Sequence, residues 1–305
     1  MNDAERLAWL EERRKGIGAS DAAAVCGATP WRTPLEVYLD KTGQLVDKPM
    51  TAAQRIGLLL EPAVSQLYED ATGRKLVIPP ASQVSADHPV IRANPDRMTD
   101  DGVINVQLKT AGFRTDEWGE TGTDEVPMHY LIQVQHEMIV TGQKMSHLAV
   151  LFLQTREFAY YVIEAYNQLQ TDIITVEEDF WRDFVLKQTP PEPTWKHPTT
   201  LDLIRRYYRK VAGGEVGELA AESTAAFVMM CGEYKACGDA ITKMKAQQDE
   251  IKSRLLWEMK ELAMLKIGTE FVVTRKEIEK KAYTVGAMKY MDVRIKEAKK
   301  AKGEE

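Results

Sequence analysis

Asp96, Gln107 and Lys109 are the residues of this chain whose types and spacing could do chemistry together. Asp96 sits in the turn-like run Asn94-Pro-Asp-Arg-Met98, and Gln107 and Lys109 lie in the apolar run Val106-Gln-Leu-Lys-Thr110. In an extended strand, residues two apart point to one face. Gln107 and Lys109 therefore project together, while Leu108 points to the opposite side, into the core. If Asp96 ends a neighbouring strand, three polar side chains meet. Such a cluster suits phosphodiester hydrolysis with a hard cation. Mg²⁺ takes oxygen ligands, commonly one or two carboxylates with waters completing the shell. A lysine beside it can orient or deprotonate the attacking water and offset phosphate charge. Glu61 and Gln133 are the further candidates for this site.

The elements that must position these residues read as one α/β unit over residues 1 to about 190. Ala4 to Lys15 reads as a charged amphipathic helix. Gly16-Ile-Gly-Ala-Ser20 reads as a turn, with Ser20 capping a short helix over Asp21–Cys26. Pro34–Thr42 is a second short helix. Ala52–Thr72 is a long one, carrying Ile56, Leu59, Leu60, Ala63, Leu67 and Tyr68 on a helical stripe. Strand-like runs follow at 76–78, 83–85, 90–93 and 103–109. Pro127–Thr141 has helical spacing, His147–Leu153 and Phe158–Ile163 alternate like a strand pair, and Gln168–Lys187 is amphipathic. Thr189-Pro-Pro-Glu-Pro-Thr194 breaks regular structure and marks a boundary. Beyond it, Phe227, Met230, Tyr234, Cys237, Ile241, Met244, Ile251, Leu255 and Leu262 recur at 3–4 spacing, as in a coiled coil or helical hairpin. Gly232 and Gly238 are candidate break points. The stripe reads first as intramolecular packing, with self-pairing and partner docking as alternatives. Ile267–Thr274 reads as a strand or hairpin arm, and a Lys-rich tail closes the sequence. The expected division is a core over 1–195, a linker over 196–218 and an extension over 219–305.

Bulk properties bound the class. At 305 residues the chain can bury one large core with an appendage. No apolar run approaches the ~18 residues that span a bilayer. The N-terminal segment is charged and lacks an apolar signal core, so a cytoplasmic protein without membrane attachment is expected. Three scattered cysteines (Cys26, Cys231, Cys237) form neither a disulfide framework nor a zinc pattern. The net charge of -6 argues against a uniformly basic nucleic-acid coat, though a cationic groove suffices to bind phosphate.

In sequence order, Gly16-Ile-Gly-Ala-Ser-Asp21, Gly57-Leu-Leu-Leu-Glu-Pro62, Asn94-Pro-Asp96, Gln107-Leu-Lys-Thr110 and Tyr130-Leu-Ile-Gln-Val-Gln-His136 resemble the YqaJ-type phage recombinase nucleases. These are relatives of phage lambda exonuclease in the PD-(D/E)xK superfamily. Each motif alone is weak, whereas the ordered set, spread over residues 10 to 190, is specific. The resemblance implies a restriction-endonuclease-like α/β core, a mixed central sheet flanked by helices, followed here by the helical or coiled-coil extension. It also implies Mg²⁺ dependence with Mn²⁺ as a substitute, and 5′-to-3′ degradation of linear double-stranded DNA. A ring-shaped homotrimer and a single-strand annealing protein as partner belong to the same implication, as does a phage or prophage origin in a bacterial cell. By the same resemblance Asp96 and the Leu108 carbonyl are metal ligands and Lys109 is the catalytic lysine. Glu61 completes the acidic site, and Gln133 packs against the metal's water shell. Ser20 and Arg13 or Arg14 hold the 5′ phosphate, assisted by the helix N-terminus after Ser20.

Gln107 departs from that pattern, which has Glu or Asp as a metal ligand at this position. An amide oxygen is a neutral, poorer ligand for Mg²⁺. Either a near-isosteric Glu→Gln change arrests an active nuclease, or the site is natively degenerate; the completeness of the other positions favours the first. The competing functions are a non-catalytic DNA-end-binding protein and an endonuclease of the same superfamily. His88, His129 and His136 read as structural, since metal and lysine already supply the chemistry. Gln135 should face away from Gln133. Trp31 and Trp118 read as loop-packing or buried rather than base-stacking.

Overall fold

A computed structural model describes residues 11–45, 50–79, 82–208, 217–278 and 295. By internal contacts the chain divides into two compact units, Met1–Arg209 and Lys210–Glu305.

The first unit is built on a five-stranded mixed sheet. Its order is β2 (Leu76–Val77), β5 (Arg97–Thr99), β6 (Asn105–Ala111), β7 (Met145–Phe152) and β8 (Glu157–Glu164). Only β6 and β7 run parallel; the other neighbours are antiparallel. Two helices cover its faces, as the side-chain alternation dictates. Val106, Leu108 and Ala149 pack with Val64 and Tyr68 of α3 (Ala52–Thr72). Leu148, Val150 and Phe152, on the other face of β7, pack with Val134 and Met138 of α4 (Met128–Thr141). The result is a mixed α/β core with a central sheet flanked by helices. Among the described residues no helix is long and apolar enough to cross a membrane.

A smaller sheet of order β1-β4-β3 lies alongside, formed by Ile17–Gly18, Ile91–Ala93 and Gln83–Val84. The expected turn at 16–20 is therefore part strand: β1 runs parallel to β4, with Ile17 opposite Ile91 and Gly18 opposite Arg92. A tight backbone approach enforces this. A Cβ at Gly16 would lie 2.4 Å from the Val90 carbonyl oxygen, so only glycine fits there. Ser20 is not the helix cap either. The helix α1 spans Ala19–Val25, Gly18 is its N-cap without a side-chain bond, and Ser20 lies exposed inside the first turn.

The long helix α3 forms because Thr51 and Gln54 make a reciprocal capping box and Gly73 ends it in the left-handed conformation. Pro62, inside it, cannot donate to the Leu58 carbonyl one turn back. α2 spans Pro34–Lys41 behind a Thr33 cap. The predicted helix over 168–187 is α5 (Asn167–Phe180) continued by a π-helical turn, Trp181–Leu186. A further helix, α6 (Thr200–Tyr207), belongs to the first unit and buries Leu203 beside Phe180 and Val185, where the sequence suggests linker. The strand β5 has no counterpart in the sequence reading; three residues are too few for a period to show.

In the second unit, α7 (Ala221–Met259) is one helix of 39 residues, unbroken at Gly232 and Gly238. A β-hairpin follows it, β9 (Met264–Ile267) with β10 (Phe271–Thr274). The described extension is thus helix plus β-hairpin rather than a helical hairpin. Among the described residues, Phe227, Met230, Tyr234, Ile241, Met244 and Ile251 of this helix are exposed. The first predicted helix and the Lys-rich tail lie largely outside the described residues.

Candidate active site

The antiparallel pairing of β5 with β6 sets Arg97 opposite Val106 and Met98 opposite Asn105. Continued by one residue, that register puts Asp96 opposite Gln107. Asp96 is locked there: its Oδ2 accepts the Leu108 backbone N–H at 2.9 Å. Leu108 itself is buried under α3, as expected. Gln107 pairs with Leu148 and Lys109 with Val150, residues that face α4, so Gln107 and Lys109 face α4 as well.

From α4, Gln133 reaches the strand. Its Nε2 donates to Gln107 Oε1 at 3.1 Å and, more weakly, to Glu137 Oε1 at 3.4 Å. Glu137 is four residues after Gln133, hence on the same helix face. It is 1 % exposed, and its Oε2 has no hydrogen-bond partner among the described residues. Burial raises its pKa, with the Asp96 charge adding to the effect, to about 8; Lys109, His136 and the Gln107 amide pull the other way. The sequence reading missed Glu137. Its spacing from Gln133 was the available signal, but the quoted motif stops at His136.

Glu61 enters from α3. A Cβ at Gly57, one turn earlier, would lie 3.5 Å from Thr110 Oγ1, which fixes where the helix crosses the strand carrying Lys109. The Glu61 pKa is raised, first by burial and then by Asp96, against Arg97 and Lys109. Glu61 therefore shares the electrostatic field of Asp96 and Lys109.

His136 positions this machinery. It is fully buried, with Nδ1 2.8 Å from Glu177 Oε1 of α5 and Nε2 2.8 Å from the Arg92 carbonyl of β4. The carbonyl can only accept, so Nε2 carries a proton. Burial opposes charge on the ring, yet Glu177 and the two hydrogen bonds win and raise its pKa. It ties α4 to α5 and to the strand leading to Asp96, the structural role expected of it. Gln135 faces away from Gln133, donating to the Glu164 carbonyl and accepting from Tyr166 N–H. Trp118 is buried against Tyr130, Phe152 and Tyr161, whereas Trp31 is 73 % exposed and not packed in a loop.

Arg13 and Arg14 belong to a second charged cluster. Asp21 of α1 is fully buried and accepts from Arg13 Nη2 at 3.0 Å, from Lys41 Nζ at 2.6 Å and from Arg32 Nη1. Arg32 also reaches Asp40 Oδ2 at 2.6 Å, and Arg14 Nε donates to the Asp40 carbonyl. Burial alone would raise the Asp21 pKa; the three cations hold it far below the usual range.

The donors beside Asp96 are all oxygens: two carboxylates and an amide. That set suits a hard divalent cation and offers nothing to a soft one. Among the described residues no three His, Cys, Asp or Glu side chains gather as a ready ligand set. Mg²⁺, which keeps most of its waters, needs only one or two carboxylates, and the unpartnered buried Oε2 of Glu137 is an atom such a cation would satisfy.

Comparison with known proteins identifies the family of the chain. The family model of the YqaJ-like viral recombinase domain matches residues 8–144, which include both clusters. The uncharacterized protein YqaJ of Bacillus subtilis (strain 168) is 31 % identical over 264 residues, spanning 85 % of this chain and 80 % of the relative. The chain belongs to the YqaJ-like viral recombinase family. Among solved structures, it is similar to an alkaline exonuclease from Laribacter hongkongensis at 17 % identity and a TM-score of 0.48, covering 59 % of this chain and 93 % of that one. A phage-related exonuclease from Haemophilus somnus 129PT is similar at 12 % identity and a TM-score of 0.45, covering 57 % and 96 %. For this YqaJ-like chain, the likeness to the Bacillus protein extends well past the recombinase-domain match.

Proposed function

We propose that this YqaJ-like protein is a Mg²⁺-dependent nuclease that degrades linear double-stranded DNA from its 5′ ends, with Mn²⁺ as a substitute, and leaves 3′ overhangs for phage-type recombination. The observation that carries this reading is the β5–β6 pair, which sets Asp96 against Leu108 with Gln107 and Lys109 on one face. Asp96, the Gln107 amide and the Leu108 carbonyl would hold the cation. When bound, Mg²⁺ supplies Lewis-acid polarisation of the phosphate and a more acidic water. Lys109 orients the attacking water and offsets the charge that develops on the phosphate oxygens. Glu61, with its raised proton affinity, is suited to exchange a proton at the edge of the site. Gln133 holds the Gln107 side chain in place.

Arg13, Arg14 and Ser20 are assigned to the 5′ phosphate. Two features support this. The parallel register of β1 and β4 leads Ser20 and the Asn94–Asp96 turn off the same ends of adjacent strands. Arg13, Arg14, Arg32 and Lys41 gather around Asp21 and Asp40, with Glu36 also acting on Arg32, which concentrates cationic side chains beside this segment. The same reading includes a homotrimeric ring, a single-strand annealing partner and action in a bacterial cytoplasm. These come from the family resemblance, and sedimentation velocity would test the trimer.

The test is digestion of 5′-phosphorylated linear duplex in Mg²⁺ beside 5′-hydroxyl duplex and closed circles. Phosphorylated linear DNA should be consumed preferentially, and Lys109→Ala should slow digestion by roughly 10²-fold or more. Equal cleavage of circles would favour an endonuclease. Binding to ends without cleavage by any form would make this a DNA-end-binding protein.

A further inference from the structure

The sequence pattern leaves the site one carboxylate short, because position 107 is an amide. The fold brings a carboxylate to the same place from another element. Gln107 on β6 and Glu137 on α4 share one donor, Gln133 Nε2. Of the two, Gln107 has its only acceptor oxygen already engaged by Gln133. Glu137 keeps a whole oxygen, Oε2, buried and unpartnered, although the residue is only 1 % exposed. A buried carboxylate oxygen left without a donor is costly, and natural interiors rarely keep one unless something outside the chain satisfies it. The charges that act on Glu137 are those of Asp96 and Lys109, residues of the proposed centre, and of His136, and the Gln107 amide also bonds its carboxylate.

We infer that Glu137 supplies the second carboxylate of the divalent-cation site, so that the ligand has moved from strand β6 to helix α4 and Gln107 is the neutral neighbour that accommodates it. The inference rests on the metal-site reading given above and changes its ligand set: Asp96 and Glu137 bind the cation, and Gln107 becomes a positioning residue. On this account Gln107 neither arrests the protein nor marks decay. A third carboxylate at 107, beside Glu137 and Asp96, would add like-charge repulsion to the buried cluster.

The experiment is Mn²⁺ titration of the full chain, followed by calorimetry and by the electron paramagnetic resonance signal of free Mn²⁺, without DNA. The chain should bind Mn²⁺, and Glu137→Gln should weaken binding at least about tenfold. The amide keeps the size of the side chain and its bond to Gln133, so unfolding without metal reports whether the variant is intact. The exchange variant Gln107→Glu/Glu137→Gln, which carries the carboxylate back to the strand, should recover most of the affinity. Asp96→Asn provides the reference loss. Unchanged Mn²⁺ affinity in an intact Glu137→Gln protein overturns the inference, as does failure of the chain to bind Mn²⁺. The nuclease reading fails separately: Glu137-dependent Mn²⁺ binding without DNA cleavage sinks that reading and leaves the ligand assignment standing. Cleavage with Mn²⁺ affinity indifferent to Glu137 does the reverse.

Discussion

Asp21 and Glu137 are both carboxylates sealed inside the first unit, and they end in opposite states. Around Asp21 the chain supplies Arg13, Arg32 and Lys41, and the carboxylate stays ionised far below its usual range. Around Glu137 it supplies the amides of Gln133 and Gln107 and the more distant charges of Lys109 and His136, which do not offset burial and Asp96, and the carboxyl is pushed up to about 8. Burial is equal, so compensation makes the difference. Asp21 is satisfied from within and holds α1, α2 and the 13–14 segment together. Glu137 is left for a cation that the polypeptide does not contain. A buried acid that its own fold completes is architecture; one that its fold leaves open is a candidate ligand.

The largest effect expected from this contrast is at Asp21. Asp21→Asn removes the anion shared by Arg13, Arg32 and Lys41; the arginines keep Asp40 nearby, while the fully buried Lys41 ammonium loses its ion-pair partner. Urea unfolding should show a loss of about 3–5 kcal/mol. A loss under about 1 kcal/mol would mean that the cluster is solvated and that the comparison fails on its first side.

An intermediate effect belongs to His147, a buried group the fold keeps neutral. Its Nδ1 lies 2.7 Å from the Tyr68 hydroxyl, and burial, helped by Arg74, pushes its pKa down to about 4. The unfolded chain takes up this proton as pH falls through the ordinary histidine range near 6.5, whereas the folded chain resists until about 4. The contribution is therefore full above about 6.5 and is lost as pH falls toward 4. Between pH 7 and pH 4.5, stability should drop by on the order of 2 kcal/mol more in the parent than in His147→Gln. Equal drops in parallel urea titrations would show that this histidine does not resist protonation.

The smallest effect is the most diagnostic. Without metal, Glu137→Gln should change unfolding free energy by less than about 1 kcal/mol, because no cation loses its partner. A loss of 3 kcal/mol or more would reveal a compensating group and erase the distinction from Asp21. With Mn²⁺ present, the parent should gain thermal stability and Glu137→Gln should gain less.

Much of the core could be read in advance. Long periodic segments such as Ala52–Thr72 and the strand pair at 145–164 carry their pattern over enough residues to specify their type. The face of the helix is legible only in part, since it buries Val64 and Tyr68 while Ile56, Leu59 and Ala63 of the predicted stripe are exposed. The alternation in Val106–Lys109 also placed Gln107 and Lys109 together and Leu108 beneath α3. Short elements could not be read. β1 and β5 have two and three residues, and they exist because β4 and β6 lie beside them. Ser20 was misplaced as a cap because the β1–β4 pairing moves the helix start back to Gly18. α6 was hidden by the prolines before it and is held by burial of Leu203 rather than by a long amphipathic pattern.

By itself the sequence determined the residue types at the site, their order and the helix and strand faces that present them, because periodicity is local and is written in consecutive residues. It also carried enough motif order to indicate the family. Only the tertiary structure decided which carboxylates are neutralised and which are left open. Asp21 meets Lys41 across 20 residues and Gln133 meets Gln107 across 26, and nothing local records those encounters. The charge state of a buried acid depends on the partners that packing brings to it, so Glu137 became a candidate ligand only once α4 lay against the sheet.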